Sequence, residues 1–281
     1  MAAPLTVGVL ALQGAFHEHM QHLTLLPAPA GYSHVAAVAV RSAEALAQCH
    51  ALVIPGGEST AIALAAQRAS LLEPLRAWVR DGRPTWGTCA GMILLAREAA
   101  GGKRGGQHLL GGIDVRVGRN GFGTQVSQLR AVECCGPAPF PGVFIRAPIV
   151  ESLLLPSDIS AVPPGSATLT PGAQRISVAP PLEAEGAPRA RRPPLEVLAT
   201  LATLPGASAP APKSERAPAS LDIPNRPPHD AQIVALRQGR LLATSFHPEL
   251  TTDGRLHAYF LRVCVLGSDA DVGMPPLDAD E

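Results

Sequence analysis

Three apolar runs, each ending in a glycine or a cysteine, constrain the fold of this chain most strongly. They are LTVGVLALQG (5–14), CHALVIPGG (49–57) and RPTWGTC (83–89). A strand that is apolar on both faces belongs to a parallel sheet covered by helices. Stretches with helical patterns alternate with these runs, at 42–48, 59–82 and 90–102. The alternation predicts an α/β fold, a mostly parallel, flavodoxin-like sheet with helices on both faces and binding sites at the carboxyl ends of its strands.

The second half of the chain has a different sequence pattern. Residues 142–148 predict a short strand, residues 232–250 a hairpin that turns at Gln238–Gly239, and residues 253–267 a closing helix. The hairpin leads directly into the sequence TSFHPEL, so its second strand ends close to a histidine and a glutamate.

The window from Pro156 to Pro228 contains more than half of the 29 prolines. Proline fixes φ and lacks an N–H donor, so this window cannot be mostly regular structure. We expect two inserts, at about 156–193 and 201–230, that form mobile surface loops. Between them, the apolar and β-branched residues 194–200 predict a strand that completes the sheet beside the hairpin.

Composition excludes several classes of function. The 281 residues carry 23 basic and 23 acidic side chains, so no net field attracts nucleic acid or a membrane surface. No apolar run reaches the length of a membrane-spanning helix, and the N-terminal residues do not resemble a secretion signal. Five cysteines without C-x-x-C spacing argue against a disulfide framework and a zinc site. We expect a cytoplasmic protein without metal or cofactor, with one domain over 1–267 and a disordered acidic tail at 268–281.

Cys89 lies between Gly87 and Gly91, where a predicted strand passes into a predicted helix. A sharp strand-to-helix turn of this kind, a nucleophile elbow, holds its nucleophile out into a pocket and leaves no room for β-carbons beside it. The N-terminus of the helix favours a thiolate, and the N–H of Ala90 is placed to stabilise an oxyanion. The alternative is that Cys89 simply packs in the core, as most cysteines do.

His247 and Glu249 are two residues apart on a predicted extended segment and therefore face the same side. A carboxylate beside an imidazole fixes its tautomer and stabilises the imidazolium, as the base of a thiol enzyme requires. Taken alone, the two residues are more typical of a surface turn. Together with an upstream elbow cysteine, the order Cys, His, Glu indicates a catalytic triad.

Two further motifs have competing interpretations. In PGGEST (55–60) the glycines expose backbone N–H groups, but the spacing matches neither phosphate-binding pattern, so Gly57 is better placed as a second oxyanion donor. The histidines of HEHMQH (17–22) suggest a metal site at first. On a helix, however, His17 and His19 lie on opposite sides, so we expect a solvated helix face instead.

These segments resemble the glutaminase subunits of pyridoxal 5'-phosphate synthase, a family of triad class I glutamine amidotransferases. The resemblance spans most of 5–150 and 231–262 and is carried by the following stretches: VGVLALQGAFHEH, LVIPGGESTAI, PTWGTCAGMILLA, GRNGFGTQV, GVFIRAPIV and ALRQGRLLATSFHPELT. The combination of LALQG, GGEST and FIRAP is more specific than the triad, which other glutamine amidotransferases share.

The resemblance implies hydrolysis of L-glutamine to L-glutamate and ammonia, with the ammonia passing to a separate (β/α)8-barrel synthase subunit in a large hetero-oligomer. It assigns the nucleophile to Cys89, the base to His247 and the orienting acid to Glu249. It further implies a set of glutamine-binding residues: Gly57, Glu58, Ser59, Arg119, Ile145 and Arg146. Free glutamine carries an ammonium and a carboxylate, so an acid such as Glu58 and a cation such as Arg119 suit it chemically.

Two rival functions remain compatible with the residues. One is a non-catalytic partner that docks on the synthase and regulates it, if the inserts displace His247. The other is a stand-alone γ-glutamyl hydrolase, or a related thiol peptidase, of the same fold.

Overall fold

The computed structural model describes residues 2–101, 106–119, 121, 125–131, 140–154, 167–169, 175–180, 192–202 and 231–267. Its strands are β1 (Leu5–Leu10), β2 (Val35–Val40), β3 (Ala51–Ile54), β4 (Thr85–Thr88), β5 (Ala96–Ala100), β6 (Ile113–Gly118), β7 (Gln125–Ala131), β8 (Phe140–Phe144), β9 (Ile149–Leu153), β10 (Ala167–Leu169), β11 (Arg175–Val178), β12 (Leu195–Ala202), β13 (Ala231–Gln238) and β14 (Leu241–Thr244).

The helices are α1 (Phe16–Leu25), α2 (Ala43–Ala47), α3 (Ser59–Arg68), α4 (Leu72–Arg80), α5 (Ala90–Leu95) and α6 (Arg255–Tyr259). A 3-10 turn (Pro248–Leu250) precedes α6, and a π-helical segment (Phe260–Val265) continues it. Within the described ranges, no helix combines the length and the apolar character that crossing a membrane requires.

The main sheet has nine strands in the order β2-β1-β3-β4-β14-β13-β12-β7-β8. Its first five strands pair in parallel, and the remaining strands pair antiparallel. A second sheet follows the order β10-β11-β5-β6-β9. The predicted α/β class is confirmed, with the parallel strands concentrated in the half of the main sheet that holds β1 to β4.

Both faces of the parallel half are buried, as the continuous apolar runs predict. On β3, Leu52 and Ile54 pack into a core shared with α3, α4 and α5, whereas Ala51 and Val53 pack into the opposite core. That second core includes Leu23 of α1 and Phe260 of the closing helix. Alternate side chains of one strand therefore enter two cores, which is why the run shows no polar alternation.

The hairpin formed by β13 and β14 determines where the candidate site lies. Its turn falls at Gly239–Arg240, and β14 pairs in parallel with β4, Thr244 opposite Thr88. The N–H of Cys89 continues this ladder and donates to the Thr244 carbonyl at 2.8 Å. Because the two parallel strands end at the same edge, the residues that follow them are neighbours in space. The predicted hairpin is confirmed.

Two of the helical predictions were wrong in extent. The helix predicted over 90–102 ends at Leu95, and the next residues form β5, which pairs in parallel with β6. A short apolar run does not distinguish a buried helix from a buried strand by periodicity, and here tertiary pairing decides. The helix predicted over 59–82 is two helices, separated by a turn in which Ser70 adopts a φ of 54°.

The proline-rich window is partly structured. The predicted strand at 194–200 is confirmed, because β12 pairs with β13 of the hairpin. The expectation of a mobile loop over about 156–193 is wrong for β10 and β11. Strand β10 pairs antiparallel with β11, and β11 pairs antiparallel with β5 and buries Val178. Residues 155–166, 170–174, 181–191 and 203–230, like the tail at 268–281, lie outside the described residues.

A buried polar cluster fixes the hairpin against the second sheet. The Gln238 side chain accepts from the Asp114 N–H at 2.9 Å and donates to the Asp114 carboxylate at 2.7 Å. Arg192 pairs with the same carboxylate at 2.9 Å just before β12 begins. Each of these hydrogen bonds to a charged group stabilises by about 1.5–3 kcal/mol, so the residues before β12 and the turn of the hairpin are held together despite the long intervening segment.

Candidate active site

The backbone at Cys89 has the geometry of a nucleophile elbow. Cys89 adopts φ 47° and ψ −99°, a left-handed conformation that is strained for a residue with a side chain. A β-carbon on Gly87 would lie 2.4 Å from the backbone of Gly91, and a β-carbon on Gly91 would lie 2.1 Å from the Ile54 carbonyl oxygen. Both glycines are therefore required by close backbone approach, as expected for a sharp strand-to-helix turn at Cys89.

Gly91→Ala is expected to destabilise the fold by about 3 kcal/mol or more, because the new methyl group overlaps backbone that cannot rotate away. The measurement is the free energy of unfolding in urea. Gly254→Ala is the matched control, since its nearest neighbouring atom would be 3.9 Å away and its φ is −82°. We expect the control to change stability by less than about 1 kcal/mol. Equal effects of the two substitutions would contradict the elbow geometry.

His247 and Glu249 lie just after β14, at the same edge as Cys89. His247 Nδ1 is 2.7 Å from Glu249 Oε1, and the Cys89 side chain is close enough to the imidazole to raise its pKa. The two side chains are buried, and the backbone N–H of His247 donates to the Val143 carbonyl at the end of β8. Gly56 lies against the ring, since a β-carbon there would be 2.3 Å from His247 Cε1. The structure therefore brings the three predicted triad residues together.

The electrostatics of the triad favour a charged imidazole. Burial disfavours the imidazolium, but hydrogen bonds and charge interactions with Cys89 and Glu249 outweigh burial and raise the pKa of His247 to about 10. Burial likewise disfavours the Glu249 carboxylate, yet His19 and His247 lower the pKa of Glu249 below its ordinary value. A positive imidazole beside the sulfur and an ionised carboxylate behind it suit a thiol nucleophile.

The loop after β3 packs tightly on the loop after β1. A β-carbon on Gly14, whose φ is 99°, would lie 1.8 Å from the Gly56 carbonyl oxygen. Gln13 Oε1 accepts from the N–H of Glu58 at 2.9 Å and would be 2.4 Å from a β-carbon on Gly57. Gly57 adopts a φ of 154°. The glycines of PGGEST are thus needed for close approach, beside the imidazole and beside Gln13.

Glu58 caps the N-terminus of α3. Its two carboxylate oxygens accept from the N–H groups of Thr60 at 3.0 Å and Ala61 at 2.7 Å. Burial opposes ionisation only partly, and these backbone hydrogen bonds, together with Arg119, lower the pKa of Glu58. The side chain remains exposed, so its fixed negative charge faces solvent at the rim of the site.

Gln107, which the sequence analysis did not identify, connects two of the expected glutamine-binding residues. Its Oε1 accepts from the hydroxyl of Ser59 at 3.1 Å, from the hydroxyl of Thr60 at 3.3 Å and from the guanidinium of Arg119. Its own backbone N–H donates to Ser177 Oγ at 3.0 Å. Because Ser177 lies on β11, part of the proline-rich window supports this cluster.

Ile145 and Arg146 occupy an exposed turn that directly follows β8. Arg146 adopts a φ of 50°, and Ile145 is 40% exposed. The preceding strand supplies Val143, whose carbonyl anchors the backbone of His247. The structure therefore places both residues on a segment adjoining the base.

The expectation of a solvated histidine face at 17–22 was wrong for one residue. His17 is exposed, but His19 is fully buried and contacts Thr88 at 3.2 Å and Glu249 at 3.4 Å. The helical spacing did place His17 and His19 on opposite sides, but it did not show that one side faces the core. Across the described ranges, no group of three or more His, Cys, Asp or Glu side chains is arranged to hold a metal ion.

The chain matches the model of the SNO glutamine amidotransferase family over residues 9–178 and 200–266, a match that includes part of the proline-rich window. It is 38% identical to a probable pyridoxal 5'-phosphate synthase subunit PDX2 from Arabidopsis thaliana, over 92% of this chain and 86% of that protein. It is 39% identical to pyridoxal 5'-phosphate synthase subunit PdxT from Herpetosiphon aurantiacus, over 92% and 99% of the two chains.

Among solved structures, a crystal structure of a glutamine amidotransferase superposes with a TM-score of 0.59 at 34% identity. The match covers 92% of this chain and 98% of that one. The fold, including the strands outside the parallel half, is thus shared with a relative of nearly the same extent.

Proposed function

The chain belongs to the SNO glutamine amidotransferase family, and from that premise we propose that Cys89, His247 and Glu249 hydrolyse L-glutamine to L-glutamate and ammonia. The chain is an enzyme, a glutaminase. The observation that supports the residue assignment is the meeting of a strained elbow thiol with a buried imidazole and carboxylate, where β4 and β14 end.

The reaction follows from the order of these groups. The Cys89 sulfur attacks the carboxamide carbon of glutamine, and the N–H groups of Ala90 and Gly57 stabilise the oxyanion that forms. The His247 imidazolium gives its proton to the departing nitrogen, so that ammonia leaves and a γ-glutamyl thioester remains on Cys89. Neutral His247 then takes a proton from the attacking water, and glutamate is released. Glu249 keeps the imidazole oriented and stabilises its charged form throughout.

The charged ends of glutamine require complementary groups near the elbow. Glu58 supplies a fixed negative charge for the ammonium, and Arg119 supplies a cation for the carboxylate. Gln107 holds Ser59 and Arg119 in one cluster, so their spacing is set before substrate binds. We propose that Ile145 and Arg146 cover the pocket from the opposite side, because their turn adjoins the segment that anchors His247.

Arg119→Gln is expected to raise the KM for glutamine by roughly 10- to 100-fold with a smaller change in kcat, since a charged hydrogen bond to substrate contributes about 1.5–3 kcal/mol. Steady-state ammonia release at varied glutamine measures both constants. Arg80→Gln, at the exposed end of α4, is the control and should leave both unchanged. An unchanged KM in Arg119→Gln would remove this residue from the binding set.

The relatives named as pyridoxal 5'-phosphate synthase subunits indicate where the ammonia goes. We propose that it passes to a separate synthase subunit, a (β/α)8 barrel, within a hetero-oligomer of the cytoplasm. Cys49, Cys89 and Cys264 are free thiols, as a reducing compartment would keep them. Ammonia production from glutamine, measured with and without added synthase subunit, tests the proposal. Release of ammonia under neither condition would favour the non-catalytic regulator.

A further inference from the structure

A row of polar side chains continues from the triad beyond Glu249 to two buried histidines. His19 on α1 places its Nε2 3.4 Å from Glu249 Oε2 and 3.2 Å from Thr88 Oγ1. Its Nδ1 lies 3.0 Å from Nε2 of His257 on α6. Both rings are 0% exposed. The row therefore runs from the sulfur through His247, Glu249 and His19 to His257.

The protonation of these rings follows from their surroundings. Burial lowers the pKa of His19 to about 4, with only partial compensation by Glu249, and burial also lowers the pKa of His257 well below its ordinary value. Both rings are therefore neutral at physiological pH, and each carries a single N–H. The short contact between His19 and Glu249 is accordingly not an ion pair but a contact between a ring dipole and a carboxylate.

Only one tautomer of His19 is electrostatically favourable. If the proton were on Nδ1, the lone pair of Nε2 would point at the negative Glu249 oxygen and repel it. With the proton on Nε2, the N–H donates to Thr88 Oγ1 and turns its positive end toward Glu249 Oε2 at 3.4 Å, and Nδ1 accepts from the Nε2–H of His257. His257 thus fixes the tautomer of His19. Glu249 Oε1 therefore faces the His247 ring, and Glu249 Oε2 faces the N–H of the neutral His19 ring.

We propose that His19 is a positioning residue of the glutaminase, held in its Nε2–H tautomer by His257, whose N–H keeps the Glu249 carboxylate ionised and oriented toward His247. The inference rests on the proposed function. It adds a residue from the N-terminal part of the chain to a triad whose other members follow β4 and β14. His19 does not contact the sulfur, so it acts through Glu249 alone.

A role in packing alone does not explain the arrangement. Burying two histidines costs free energy that an apolar pair would not, unless their polar atoms are used. Several groups face His19: Glu18 and His22 from its own helix, His257 from α6, and His247 and Glu249 from the segment after β14. His19 Nε2 lies 3.4 Å from Glu249 Oε2, so its N–H presents a positive dipole to that oxygen. Removal of the His19 N–H therefore weakens the support for the His247 imidazolium.

Three variants separate this role from a structural one. His19→Leu removes the N–H, whereas His19→Gln keeps an N–H donor at the position of Nε2. We expect His19→Leu to shift the alkaline limb of kcat/KM for glutamine downward by roughly one pH unit, a tenfold change in proton affinity of His247. His19→Gln should restore most of the shift. His17→Leu, on the exposed side of the same helix, is the control and should leave the profile unchanged.

The ¹⁵N NMR titration of the His247 ring gives a second readout that does not depend on turnover. We expect the ring to titrate at lower pH in His19→Leu than in the wild-type chain, and His19→Gln to lie close to wild type. If His19→Leu does not fold, titration of His19→Gln against His19→Asn decides, because asparagine places its donor at Nδ1 and should behave as the loss variant.

Unchanged pH profiles and titrations in folded His19→Leu would overturn the proposal, as would equal shifts in the glutamine and asparagine variants. Failure of the proposed function has a different signature. It would appear as a wild-type chain that releases no ammonia while its His247 ring still responds to substitution at His19.

Discussion

Cys89→Ala is expected to lower glutamine hydrolysis by at least about a thousandfold, the scale on which enzymes respond to removal of their nucleophile. The reason is that no other group at the elbow can form the thioester, while the oxyanion donors alone retain only weak catalysis. With the synthase subunit present, glutamine should no longer support pyridoxal 5'-phosphate formation, whereas added ammonia should support it as before. Both rates are measured on the assembled complex.

The other described cysteines provide the controls for this substitution. Cys49 and Cys264 are buried, and burial raises the pKa of their thiols to about 11 and about 12, so neither is a thiolate at neutral pH. Replacing either with alanine should leave turnover within a few-fold. Residual glutaminase above about one part in a thousand in Cys89→Ala would assign the nucleophile elsewhere.

His247→Asn is expected to be nearly as damaging as loss of the thiol, because both proton transfers pass through this ring. Glu249→Gln should retain part of the activity, since orientation is only one component of the work of the base. The pH dependence of the activity of Glu249→Gln should also differ from that of the wild-type chain. The pKa of His247 is raised to about 10, so the imidazolium persists through neutral pH and activity falls as pH rises through that value. Without the carboxylate the fall should occur at lower pH.

Steady-state rates of the three proteins between pH 6 and roughly pH 10.5 measure these effects. The control is Glu73→Gln, a carboxylate on the exposed part of α4 whose partner is Arg76. A Glu249→Gln profile identical to wild type at every pH would show that another acid orients His247.

The catalytic core of the site was predictable because its determinants are local. Gly87 is required by the approach of the Gly91 backbone four residues later. His247 and Glu249 are two residues apart and contact each other, although across a 3-10 turn (Pro248–Leu250) and not on the extended segment that the sequence predicted. Those constraints act over a few residues, so they are visible in the sequence. The register that joins the two halves, Thr88 opposite Thr244, is a long-range pairing and emerges only from the sheet.

The residues that support the triad and the glutamine-binding residues from behind were not predictable, because their contacts join distant parts of the chain. His19 and His257 are 238 residues apart, and nothing in either segment marks them as partners. Gln107 follows a glycine-rich stretch without a recognisable pattern, and its support, Ser177, lies in a window whose prolines argued against regular structure. The error at β5 has a related origin, since the sequence AREAA that directly follows the helix is compatible with either state until β6 pairs with it.

We expect Cys89 to carry the γ-glutamyl group between the two half-reactions. Rapid acid quenching of the complex during turnover of glutamine, followed by mass spectrometry of the intact chain and of its peptides, tests it most directly. We predict a mass increase of one γ-glutamyl group, confined to the peptide that contains Cys89 and sensitive to hydroxylamine, as a thioester is. Turnover of the wild-type chain without any adduct, or an adduct on a different cysteine, would show that Cys89 is not the nucleophile.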